Sequence, residues 1–138
     1  MFDPDGDLTV LQNLFAEDDR ILELLGMTGA SPAQIAKAII KRDSWDDMPG
    51  NEKRICIYFQ PSMDIRNELC SREILRIDAH VPAVESHIAY RIITRIHQLL
   101  HNKKHGKALL RSIGQYGQRA SMPGFFCAAM RFKYYITK

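Results

Sequence analysis

Two short stretches decide the fold: Arg54-Ile55-Cys56-Ile57-Tyr58-Phe59 and Glu73-Ile74-Leu75-Arg76-Ile77-Asp78-Ala79-His80-Val81. In the first, Ile55, Ile57 and Phe59 alternate with Arg54, Cys56 and Tyr58, the period of a half-buried strand. Pro61 ends it. In the second, Leu75, Ile77, Ala79 and Val81 share one face and Ile74, Arg76, Asp78 and His80 the other, up to Pro82. The polar members of that second face are expected to point outward. The connection 61–71 is longer than a tight hairpin and is expected to protrude.

Beyond Pro82 the period changes to that of a helix, over Val84 to Asn102. Ile88, Ile92, Ile96, Leu99 and Leu100 supply its apolar stripe, widened by Ala89 and Ile93. At 1.5 Å per residue such a helix is roughly 28 Å long, enough to lie across a small sheet. Two more strands follow. One covers Ala108 to Ile113 and is expected to end at Gly114 and Gly117. The other covers Phe125 to Thr137, with Phe126, Ala128, Met130, Phe132, Tyr134 and Ile136 alternating with Arg131, Lys133 and Tyr135. Strands in pairs around a helix predict an α+β fold: a mainly antiparallel four-stranded sheet packed against the long helix.

The first third of the chain reads as helices. Leu8, Leu11, Leu14 and Phe15 have helical spacing, with Asp7 placed to cap them. Ile21, Leu22, Leu24 and Leu25 make a short second helix closed by Gly26. Ser31-Pro32 opens a third, with Ser31 as N-cap, Pro32 at N1, and an apolar stripe of Ile35, Ala36, Ile39 and Ile40. The polar run Asp43 to Glu52, containing Pro49-Gly50, is a loop or linker. The expected organisation is a single domain over 1–138, with a helical part at 1–42 and a ββαββ core at 53–138.

At 138 residues, 46% hydrophobic and 25% charged, the chain can bury a core without disulfides or a metal. No apolar run approaches the roughly 20 residues of a membrane span, and the acidic start Met1-Phe2-Asp3 does not resemble a secretory signal. Cys56, Cys70 and Cys127 are widely spaced with no CxxC, which suits reduced thiols in a cytosol. The net charge of +3 hides a division. Residues 1–52 hold 11 acidic and 4 basic side chains; residues 53–138 hold 5 acidic and 15 basic. Such asymmetry points to an acidic partner: nucleic acid, a membrane surface or another protein.

Motifs for chemistry are scarce. His97, His101 and His105 recur every fourth residue near the end of the long helix, but without HExxH their plainer role is at a helix C-terminus. Asp78 and His80 share a strand face and are the sole general-base pair on offer. The chain holds no GxSxG, Walker A, GxGxxG or SxxK. The expectation is a protein that is not an enzyme and has no catalytic residues, cofactor or metal. Arg91 and Arg95 lie one turn apart on the polar helix face beside His87 and Gln98, with Lys103, Lys104 and Lys107 following; they suit either DNA phosphates or an acidic protein. The final strand carries Phe125, Phe126, Phe132, Tyr134 and Tyr135 beside Arg131. It reads as an aromatic edge strand available for an interface and guarded by Lys133 and Lys138.

The phrases RICIYFQP, a loop with Arg66-Asn67, EILRIDAHVPA, AYRIITRIHQLL and GFFCAAMRFKYYI together resemble the phage tail terminator (tail completion) family of head–tail connector neck proteins. The resemblance covers about residues 20–137. It implies an α+β virion subunit, made in the host bacterial cytoplasm, that assembles as a ring with its own copies, usually a hexamer. The ring caps the tail tube protein and meets the head-side connector protein, with DNA passing through its lumen and no membrane involved. Candidate interface residues are Arg91, Arg95, Lys103 and Lys104 on the helix and its end. Arg66, Asn67, Tyr116 and Arg119 in the loops 61–71 and 114–124 join them, with Arg131 and Lys133 on the last strand. The charge division suits contact between the acidic part of one copy and the basic part of the next. The alternative is a basic-faced DNA-binding or regulatory module.

Overall fold

The computed structural model describes residues 4–42, 52–60, 70–105, 108–119 and 123–137. Three helices come first: α1 (Pro4–Ala16), α2 (Asp19–Leu25) and α3 (Pro32–Ala38). A two-residue strand β1 (Ile39–Ile40), β2 (Arg54–Gln60) and β3 (Cys70–Pro82) follow. A 3-10 turn then leads into α4 (Ser86–Leu100), and β4 (Lys103–His105), β5 (Ala108–Arg119) and β6 (Phe125–Thr137) complete the chain. The strands form one sheet in the order β1-β2-β3-β6-β5-β4. Among the described residues, only the β1–β2 pairing is parallel.

The α+β class is as expected, but the sheet has six strands, not four. The four long strands are those read from the alternation. The additions, β1 and β4, are two and three residues long, too short to show a period. Ile39 and Ile40 belong to β1 and not to the α3 stripe. The helix stops at Ala38, and Ile39 takes extended backbone angles (φ −120°, ψ 101°) to pair with Ile55. Gly114 and Gly117 do not end β5. The strand runs past both to Arg119, and its register with β6 shifts between Ser112 and Gly114 and again between Tyr116 and Arg119. Bulged positions of this kind bend a strand without terminating it.

The largest correction concerns β6. It is not an edge: β3 pairs with it from Cys70↔Thr137 to Pro82↔Phe125, and β5 pairs with its other side. Its aromatic side chains point partly inward, while Phe125 and Tyr135 stay half-buried. Phe132 and Tyr134 are buried, and Phe126 packs against the core. Near its start, small side chains on both faces are buried: Cys127, Ala128 and Ala129. Lys133 therefore guards no edge, and Lys138 lies outside the described residues.

One core unites the helical part with the sheet. Leu8, Leu11 and Phe15 of α1, Ile21 and Leu24 of α2, and Ile92, Ile93, Ile96 and Leu100 of α4 bury against Ile55, Ile57, Leu75, Ile77, Met130 and Phe132. Local signals explain the helix ends. Asp18 caps α2, accepting from the Ile21 N–H at 3.0 Å, and Gly26 closes it at φ 71°, a left-handed conformation that favours glycine. Ser31 and Gln34 make a reciprocal capping box on α3. Asp7 does not cap α1, because the helix already begins at Pro4. Its carboxylate instead hydrogen-bonds the Tyr134 hydroxyl. Burial and that carboxylate both push the phenol well above its usual range.

Candidate functional site

The outer sides of the sheet are only partly covered. On one side β4 pairs with Ala108, Leu109 and Leu110 alone. The turn from α4 into β4 passes through Asn102 at φ 58°, a conformation asparagine tolerates, and its N–H donates to the Leu110 carbonyl at 2.8 Å. The Ser112 N–H then donates to His101 Nδ1 at 3.0 Å. Beyond Ser112, among the described residues, no strand lies on the outer side of β5. On the opposite side β1 pairs only with Ile55 and Cys56, and no described strand flanks Ile57 to Gln60. Leu109 and Ile113, 37% and 39% exposed, stand on β5. The short β4 edge carries exposed Lys103 and Lys104, placed to repel unwanted pairing.

Of the basic residues on α4, the structure divides two that the sequence grouped. Arg95 grips Asp18 within the same chain: Nη2 to Oδ1 at 2.7 Å and Nε to Oδ2 at 3.1 Å. The guanidinium holds the Asp18 carboxyl below the usual carboxylate range, and Asp18 in turn raises Arg95. Arg91, one turn earlier, is exposed. It lines a shallow hollow of about 470 Å3 with Arg20, Tyr90, Thr94 and Gln98 beside Arg95. Other opposite charges also meet within the chain: Lys41 with Asp5 at 3.0 Å, Lys53 with Glu85 at 3.4 Å, and Arg20 with Glu23 at 2.7 Å. Asp18 with Arg95 and Glu52 with Arg54, at 2.5 Å, join the acidic part to the basic part, whereas these other three pairs each lie within one part. Among the described residues, exposed acidic groups on the first part include Glu17 and Asp19, and exposed basic groups on the second include Arg91, Lys103, Lys104 and Arg111.

The remaining candidates separate. Arg131 and Lys133 are half-buried on the face of the sheet opposite α4. Tyr116 and Arg119 sit in β5 opposite Ala129 and Cys127, with side chains outside the described residues. Arg66 and Asn67, with the loop 61–69, also lie outside the described residues, as does Lys107. The three histidines do not converge on a point. His97 and His101 stack with ring centroids 4.6 Å apart, and His105 Nε2 donates to the Leu99 carbonyl at 3.1 Å. Burial, with His101 alongside, pushes the His97 pKa down. They build the corner where α4 turns into β4 and β5.

Asp78 and His80 do share a strand face, but they are buried, not outward. The Tyr58 hydroxyl donates to Asp78 Oδ2 at 2.7 Å and Arg76 Nε donates to Oδ1 at 3.1 Å. Alternation in one strand cannot show that the opposite sheet face is also covered, which is why that expectation failed. Cys127 was not placed beside them, because the β3–β6 register is a long-range property. Cys56 and Cys127 are buried thiols; the Cys70 side chain lies outside the described residues. Among the described residues no helix is long and apolar enough to cross a membrane. Comparison with protein-family models and with curated proteins gives no match for this chain.

Proposed function

We propose that this chain is a structural subunit of a phage neck, a tail terminator that closes the tail tube as a ring of its own copies. The observation that carries the reading is the pair of half-covered edges on opposite sides of one sheet. The outer sides of β5 beyond Ser112 and of β2 beyond Cys56 have opposite positions in the sheet order. A subunit with different surfaces on its two sides makes head-to-tail contacts, and such contacts close into a ring when the rotation allows. Ile113, just past Ser112 and 39% exposed, supplies an apolar anchor on one of those sides.

The charges take a narrower role than the sequence suggests. Asp18 and Arg95 belong to the fold, so contact between copies falls to Glu17 and Asp19 on one side and Arg91, Lys103, Lys104 and Arg111 on the other. Exposed basic groups of that second set also suit DNA passing through the ring. The partners are further copies, usually six in all, the tail tube protein and the head-side connector protein, in the virion. The test is deletion of the coding sequence from the strain that makes the particles, followed by electron microscopy. Tails of uneven length without attached heads are expected. Finished particles of normal tail length overturn the reading.

A further inference from the structure

We propose that Asp78, His80 and Cys127 form a zinc site between β3 and β6. Asp78 and His80 are two residues apart on β3 and so project to the same face. Cys127 is the register partner of His80 on β6. Their ligand atoms all lie within 4.8 Å of one another, and Cys127 Sγ stands 3.7 Å from His80 Nε2. Zinc bonds of about 2.3 Å to sulfur and about 2.05 Å to nitrogen, at a tetrahedral angle, place those two atoms roughly 3.6 Å apart. The pair is therefore already spaced as two ligands of one ion.

The donor set selects the metal. One carboxylate oxygen, one imidazole nitrogen and one thiolate suit Zn2+, whereas Mg2+ and Ca2+ take oxygen ligands. Asp78 is 0%, His80 5% and Cys127 0% exposed. A divalent ion there would neutralise a buried Cys127 thiolate, while Arg76 already pairs with the Asp78 carboxylate at 3.1 Å. Three protein donors leave a fourth position to water. Around them stands the outer support such sites use: Tyr58 and Arg76 hold the Asp78 carboxylate by its two oxygens. An ion at this point clips together the two longest strands of the sheet. The inference does not depend on the phage reading.

The test uses the full chain, stripped of metal and titrated with Co2+ and then Zn2+. The expected result is about one ion per chain, with tetrahedral cobalt absorption and a thiolate-to-cobalt charge-transfer band that Zn2+ displaces. His80→Ala and Cys127→Ser are expected to weaken binding more than tenfold. Tyr58→Phe weakens it about 10- to 100-fold, the range for an outer-shell partner. Cys56→Ser, a buried thiol outside the triad, keeps the band. Should the ligand variants fail to fold, the wild-type spectrum decides alone. A folded wild-type chain that shows no charge-transfer band overturns the site, as does a band that survives Cys127→Ser or is lost in Cys56→Ser.

Discussion

Replacing Asp18 by alanine removes two interactions at once, since its carboxylate caps α2 and holds Arg95 of α4. Loss of an N-cap costs about 1 kcal/mol. Loss of a charge-assisted hydrogen-bonded pair costs about 1.5–3 kcal/mol, taken at the low end because the Arg95 side chain is 33% exposed and screened by solvent. The sum is about 2.5 kcal/mol. At roughly 2.1 cal/mol/K per residue, the 138-residue chain has an unfolding entropy near 0.3 kcal/mol/K. Asp18→Ala should then lower Tm by roughly 9 °C. Arg95→Ala leaves the cap intact and should cost about half as much.

A double-mutant cycle by thermal or urea unfolding isolates the pair, with an expected coupling of about 1–2 kcal/mol. The pH dependence has a definite sign. Arg95 lowers the folded pKa of Asp18, so the carboxylate contributes fully above its unfolded value of about 3.9 and loses that contribution as pH falls through the lower folded value. The stability gap between wild type and Asp18→Asn should shrink on acidification in that window. Additivity of the two single substitutions within about 0.3 kcal/mol, or a gap that widens towards low pH, refutes the reasoning.

Tyr134→Phe removes the buried hydroxyl bound to Asp7 and should destabilise by about 1 kcal/mol, read by urea unfolding. In the wild type, ultraviolet titration should show one tyrosine that ionises only well above the usual range or on unfolding. Lys103→Val with Lys104→Val removes the charges from the short β4 edge, and light scattering should show aggregation at concentrations where the wild type stays dispersed.

Elements with enough length to show a period were legible in the sequence. The β3 face of Leu75, Ile77, Ala79 and Val81 packs inward as expected, as does the α4 stripe through Ile92 and Ile96. The caps at Ser31 and Gly26 follow from local chemistry and were equally readable. What stayed hidden depends on distant partners. The central place of β6 follows from pairing with β3, which lies more than 40 residues earlier. Arg95 looked like a surface charge, yet its partner Asp18 lies 77 residues away. His80 and Cys127 are 47 residues apart and meet only through the β3–β6 register.

The central claim concerns ring closure through the sheet edges. Its most direct test is electron cryomicroscopy of the chain co-assembled with the tail tube protein of its own genome, at a resolution that traces strands. The reading predicts a closed ring at the tube end, with the outer side of β5 beyond Ser112 facing β2 of the next copy. Single copies on the tube, or a ring whose subunits meet through α1 and α3 with both sheet edges left open, would contradict it.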